Sequence, residues 1–175
     1  MDYDTLLRGY RKKRVADPDT LPTPLCYGRD EIRRIIPHRD PFLLVDRLTG
    51  LDLGEGIIAG TRHIDPQAPL FQGHFPGNPV YPGSLQIEMV GQLGLCMHYF
   101  LTNATTAVGP DAEPVRAMAT RVLGAYYVLP VLPGSTVTMV AKKLEADEFA
   151  ASMIGQTIVD GRVCSVVAGQ VVFLD

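Results

Sequence analysis

Cysteine is scarce in this chain. Cys26, Cys96 and Cys164 are its only three, and they lie far apart with no metal-like spacing. An odd, unpatterned set fits free, mostly buried thiols in a reducing compartment. An excess of charge is also lacking. Sixteen basic and 19 acidic residues leave a formal −3, which gives no reason to invoke nucleic acid. The N-terminus has no apolar h-region, so no signal peptide is expected. The most apolar stretch is broken by Glu88, Gln92 and His98 and is short for a membrane span. A cytoplasmic protein without a membrane partner is therefore expected. Repeats and low-complexity segments are missing, and no His/Cys/Asp grouping has the spacing of a metal site. What remains is an ordinary globular composition, 46% hydrophobic and 20% charged over 175 residues, enough for one domain with a proper core.

The chain is organised around Gly73 to Gln92, GHFPGNPVYPGSLQIEMVGQ. It opens on His74 in a Gly- and Pro-rich turn and then enters an apolar run. From Ser84 to about Phe100 the run has helical length, and Pro82-Gly83 before it, with Ser84 able to cap, reads as a helix start. Leu85, Ile87, Met89, Val90, Leu93 and their neighbours leave almost no solvent face, which predicts a buried helix. Ser84, Glu88 and Gln92, at i, i+4 and i+8, form one narrow polar stripe on it. A carboxylate on such a helix needs a partner, a proton or a cavity. Glu88 and His74 could each be structural, but a helix N-terminus aimed at the same place raises the weight of a functional reading.

GHFPGNPVYPGSLQIE resembles the signature of the FabZ/FabA-type 3-hydroxyacyl-acyl-carrier-protein dehydratases. Pro37-His38-Arg39-Asp40-Pro41-Phe42-Leu43-Leu44-Val45-Asp46-Arg47 is similar to the family's second block, and Pro130-Val131-Leu132-Pro133-Gly134 to its Pro-x-x-Pro-Gly turn. The resemblance runs from Ile32 to Leu174 with the three blocks in order, far more specific than one short motif. Two departures stand out. Asp40 is found where an aromatic residue is common, and Ala125-Tyr126-Tyr127-Val128-Leu129 where the family usually carries basic residues. The second makes a specialised polyketide or polyene pathway plausible beside fatty-acid synthesis.

Around this centre, Arg29–Ile36 reads as a short amphipathic helix ended by Pro37. Phe42–Leu48 and Gly56–Ile64 have strand-like composition. Asp65–Leu70 is a loop delivering the chain to His74, and Thr102–Pro114 is a second loop. Val115–Val128, Thr136–Leu144, Phe149–Val159 and Val163–Leu174 read as strands, with Asp160-Gly161 a hairpin turn. The fold class is α+β, one antiparallel sheet wrapped around a central buried helix, which the resemblance identifies as a hot-dog fold over residues 26–175. Residues 1–25 form an extension, basic at Arg8, Arg11, Lys12, Lys13 and Arg14 and then Pro-rich. It reads as a solvated tail or packing arm, or as a docking element for an acidic carrier protein.

Dehydration of a 3-hydroxyacyl thioester to its trans-2-enoyl product needs a base at C2, assistance to the C3 hydroxyl and a holder for the enolate-like oxygen. His74 suits the first. Glu88 suits the second if burial raises its pKa. The free N–H groups of Gly83 to Leu85, Ser84 included, suit the third. The resemblance implies that His74 faces Glu88 of a second subunit in a homodimer, or in three such dimers together. It also implies that Gly83 carries the main backbone donor, that Gln92 braces Glu88 and that Val80 orients the loop. A Glu at position 88 is nearer the FabZ pattern and favours dehydration without isomerisation. No cofactor is implied, the substrate arriving on the phosphopantetheine arm of acyl carrier protein. His38 reads as a turn anchor, His98 as packing beside Gly91 and Gly94, and His63 as a strand residue without partners. A hot-dog thioesterase or a non-catalytic acyl-binding protein is the alternative.

Overall fold

The computed structural model describes residues 1–174. Seven strands, β1 (Thr23–Tyr27), β2 (Arg47–Asp52), β3 (Ile57–His63), β4 (Ala117–Tyr127), β5 (Thr136–Ala146), β6 (Ala150–Val159) and β7 (Arg162–Phe173), make one sheet in the order β1-β2-β3-β5-β6-β7-β4. Each pairing is antiparallel. Three helices accompany it: α1 (Tyr3–Gly9), α2 (Arg29–Ile35) and the 20-residue α3 (Gly83–Thr102). α3 lies on the sheet's inner face, with Met89, Leu93, Cys96 and Phe100 fully buried against Leu48, Leu51, Met139 and Ala141. This is the hot-dog arrangement. A helix apolar around most of its surface and a sheet apolar on its inner face each satisfy the other's need for burial.

Asp160 and Gly161 both take left-handed backbone angles, φ 48° and 75°, as the tight β6–β7 hairpin requires. The strand expected at Phe42–Leu48 is displaced, since β2 begins only at Arg47 and continues to Asp52. Residues 42–46 cross over α3 instead. Phe42 N and Asp46 N donate to backbone carbonyls of Arg39 and Thr61, and side chains meet much of the rest: Gln92 Nε2 donates to Phe42 O at 2.8 Å, Leu44 N donates to Gln92 Oε1 at 2.7 Å, and Arg62 Nη1 donates to Leu43 O at 3.2 Å. Arg29 and Arg62 both reach Asp46 Oδ1, at 2.6 and 2.8 Å, and fasten the end of the crossing.

The N-terminal segment packs on the outer face of the sheet. Asp2 caps α1 through bonds from Asp4 N and Thr5 N. Leu7 is buried among Ile154, Val166 and Ala168, in space left by Gly124. Further along, Ala16 and Leu21 lie on Ile57, Ala59, Val140 and Ile158. β1 is an edge strand, the position that tolerates its Pro24. The three cysteines are free; Cys96 and Cys164 are buried and Cys26 is exposed. Among the described residues, no helix is long and apolar enough to cross a membrane.

Candidate active site

A 3-10 turn over Pro69–Gln72 ends at Gly73 and delivers His74, whose N–H donates to Leu70 O at 3.0 Å. The loop from His74 to Val80 closes on itself twice. Val80 N donates to His74 O at 3.0 Å, and His74 Nδ1 lies 2.7 Å from Val80 O. A carbonyl oxygen only accepts, so Nδ1 carries a proton, and in the neutral imidazole it is Nε2 that offers the lone pair. Beyond the loop, Tyr81 N donates to Val131 O at 2.8 Å, tying the approach to α3 onto the Pro130–Gly134 turn.

α3 starts without a side-chain cap. Its N-cap is Pro82 and Ser84 is already inside the helix, so the capping role expected for Ser84 is not realised. The helix begins at Gly83, one residue earlier than the sequence suggests. The first N–H groups of the helix therefore have no intrahelical partner. Tyr127 of β4 packs on this turn so closely that a Cβ at position 83 would lie 2.6 Å from its ring.

Glu88 is half buried one turn further along. Gln92 Nε2 donates to its Oε1 at 2.8 Å, and the same oxygen lies 3.3 Å from His38 Nε2. The hydrogen bond from His38, followed by the bond from Gln92, holds Glu88 below the usual carboxylate range even though burial pushes the other way. The expectation of a raised pKa is thereby corrected within the chain: hydrogen bonds to the charged form outweigh desolvation. The polar stripe is corrected too. Four residues overshoot a full turn by about 40°, so Ser84 is exposed, Glu88 half buried and Gln92 buried.

His38 is more than a turn anchor, since it reaches Glu88 across about fifty residues of sequence. His63 is partnered through its backbone, its N–H donating to Asp46 Oδ2 at 2.8 Å. His98 stacks on Phe173 with ring centroids 4.1 Å apart, and burial lowers its pKa. It lines, with Glu88, Gly91, Gly94, Leu95 and Met153, a mostly apolar cavity of about 290 Å³ between α3 and strands β4 to β7. Such a shape suits an apolar ligand. Among the described residues, no hydrogen bond or ion pair joins His74 to Glu88 of the same chain. Asp40 is engaged by Arg29 and Arg33, so it closes the second block onto α2.

Residues 36–168 match the FabA-like domain. A 3-hydroxyacyl-[acyl-carrier-protein] dehydratase FabZ from Thermomicrobium roseum is 33% identical over 144 residues, covering 82% of this chain and 89% of its own. The protein of the same name from Polynucleobacter necessarius is 35% identical over 144 residues, with 82% and 90% covered. Among solved structures, the dehydratase heterocomplex ApeI:P from Xenorhabdus doucetiae superposes with a TM-score of 0.63 over 82% of this chain and 91% of that one, at 16% identity. A mutant thioesterase from Pseudomonas aeruginosa gives 0.57 over 94% and 98%, at 12% identity. At such identities these two speak for the hot-dog fold alone. The match across most of the chain, together with relatives one-third identical over nearly their full length, makes this chain a member of the FabA-like family.

Proposed function

We propose that the chain is a 3-hydroxyacyl-acyl-carrier-protein dehydratase of fatty-acid or related polyketide synthesis, with His74 and Glu88 at its centre. The observation that carries this reading is the bond from His74 Nδ1 to Val80 O. It fixes the tautomer, so that the neutral imidazole offers Nε2 as the base, in a loop that belongs to the family's signature. Nε2 takes a proton from C2 of the thioester. The electron pair closes the C2–C3 double bond as the C3–O bond breaks. The protonated imidazole then returns its proton to the departing hydroxide, which leaves as water. Glu88, held below the usual carboxylate range, accepts a hydrogen bond from the hydroxyl and keeps it over Nε2. The thioester oxygen takes the N–H groups of Gly83 to Leu85, whose donors cost no reorganisation as charge develops. No cofactor takes part in these steps.

A second copy completes the site in this reading, bringing its Glu88 to the first copy's His74. Support comes from the edge of the sheet. β4 ends the strand order with one flank unpaired, and an open edge of this kind is a template for pairing with another chain. Phe42, Phe75, Tyr127 and Leu132 are each about half exposed around the signature blocks. Acyl carrier protein is the substrate's carrier, and the cytoplasm is where the three thiols stay reduced.

Hydration of a short enoyl thioester, followed by its absorbance, tests the reading. His74→Ala and Glu88→Gln should each lose at least about 10²-fold, the low end for general acid–base groups, while staying folded. Mixing the two variants with verified subunit exchange should restore part of the activity. Activity within a few-fold of wild type in either variant overturns the site. Release of free thiol by the wild type would point to a thioesterase instead.

A further inference from the structure

We propose that His38 is a positioning residue of the site, holding Glu88 by Oε1 so that Oε2 alone faces the substrate. The inference rests on the dehydratase reading and adds a side chain to it. His38 Nε2 stands 3.3 Å from Glu88 Oε1, and Gln92 Nε2 donates to the same oxygen at 2.8 Å. Oε1 is thus occupied twice, while no hydrogen bond reaches Oε2 among the described residues. Gln92 is itself fixed by Phe42 O and Leu44 N. The crossing segment therefore grips α3 at two points, and His38 arrives at Glu88 on a braced backbone.

The tautomer follows from burial. His38 Nδ1 is buried and has no hydrogen-bond partner. A proton there would be stripped of water with nothing in exchange, whereas a lone pair loses less. The proton accordingly sits on Nε2 and points at Glu88. The two imidazoles hold opposite tautomers, Nδ1–H in His74 and Nε2–H in His38, so one is left as a base and the other as a fixed donor. The ring of His38 lies beside Phe42, with centroids 6.5 Å apart.

The surrounding charges are mostly engaged elsewhere. Arg39 donates to Ile36 O and His38 O, Asp40 is bound by Arg29 and Arg33, and Asp46 by Arg29 and Arg62. His98, Arg121, Lys143 and Asp147 line the same cavity as Glu88, but none of them contributes to the lowering of Glu88, which comes from His38 and Gln92. Removing His38 leaves burial with less opposition, so Glu88 should titrate at higher pH and the acidic limb of the rate profile should move up with it.

His38→Ala, His38→Phe and His38→Gln test this. The Phe variant preserves ring volume if the Ala variant does not fold, and the Gln amide restores an N–H donor near the place of Nε2. On a small enoyl thioester, Ala and Phe should lower kcat about 10- to 100-fold, the worth of one hydrogen bond to a charged group, with KM little changed. Their acidic limb should shift to higher pH, and Gln should recover most of the rate. A carbon NMR titration of the Glu88 carboxyl, which needs no turnover, should show the same upward shift in Ala and Phe. Wild-type kcat in those two, an unmoved Glu88 titration, or a Gln variant as slow as Ala would overturn the role of His38. A wild-type protein that hydrates no enoyl thioester would defeat the dehydratase reading instead, and the NMR titration would still decide what His38 does to Glu88.

Discussion

At the scale of single residues, Gly83 is where the proposed oxyanion donors and the packing meet. A Cβ there would lie 2.6 Å from Cε1 and Cζ of Tyr127, so one of the two elements must yield. The helix start is the softer, since no side chain caps it. Gly83→Ala should therefore displace the N–H donors and lower kcat by up to about 10²–10³-fold, the range seen for loss of an oxyanion donor, with only a modest fall in Tm. Gly83→Ala combined with Tyr127→Ala removes the clash and should recover much of the loss. A double variant as slow as the single one would show that packing is not the cause. The contacts of His74 with Val80 and of Glu88 with Gln92 fall in one short stretch; i, i+4 spacing makes the second visible in the sequence, whereas the part of Val80 and the bracing by Gln92 are what the family resemblance implies. His38 is not legible, because its contact with Glu88 depends on how a loop of another block crosses α3. The lowered pKa of Glu88 is not legible for the same reason. Apolar neighbours are visible in the sequence and push a carboxyl up, but the donors that push it down come from elsewhere in the fold.

At the scale of elements, length and composition identify α3 and the last four strands, since long β-branched runs have few other uses. The segment at Phe42 misleads because a buried apolar run has the composition of a strand whether or not it is paired. Only the polar groups of Gln92 and Arg62 reveal that no ladder is needed there. The N-terminal segment reads in the sequence as a tail, a packing arm or a docking element, and in the structure it packs on the sheet. Gln156 of β6 is fully buried on the outer face of the sheet. Its Oε1 accepts from Val15 N at 2.8 Å, and its Nε2 donates to Tyr10 O at 2.6 Å and Lys13 O at 2.8 Å. Short-chain polar pattern alone could not pair Gln156 with a backbone some 140 residues away. Gln156→Leu leaves those three backbone groups facing an apolar side chain, and each unsatisfied group costs about 1–3 kcal/mol when it stays buried. We expect Gln156→Leu to lose about 2–4 kcal/mol in urea unfolding, with turnover of a small thioester by the folded protein unchanged. A variant as stable as wild type would mean that the segment rehydrates freely and is held by Leu7 alone.

At the scale of the whole molecule, the packed N-terminus changes which charges can meet a partner. Arg8 is paired with Asp4 at 2.9 Å and donates to Tyr126 OH at 3.3 Å, and Arg14 is paired with Asp17. Arg11 lies over the Tyr126 ring, 5.2 Å from its centroid. Lys12 and Lys13 have no ion pair among the described residues. Tyr126 and Tyr127 occupy the stretch where basic residues are usual in the family. Tyr127 lies against Gly83 while Tyr126 lies under Arg8 and Arg11 on the other face of β4, so the N-terminal segment brings cations to the outer side of the strand that borders the helix start. If this surface steers an acidic carrier protein, the effect lies in association and fades with salt, because exposed charges are screened over about 10 Å at 0.1 M. Reversing Arg11, Lys12 and Lys13 to glutamate keeps Leu7 and the Gln156 bonds to backbone in place. It should raise KM for carrier-borne substrates severalfold at low salt, flatten the salt dependence, and leave small thioesters turned over as before. Equal loss on both substrates would mark the change as structural, and no loss on either would return the cations to the solvent.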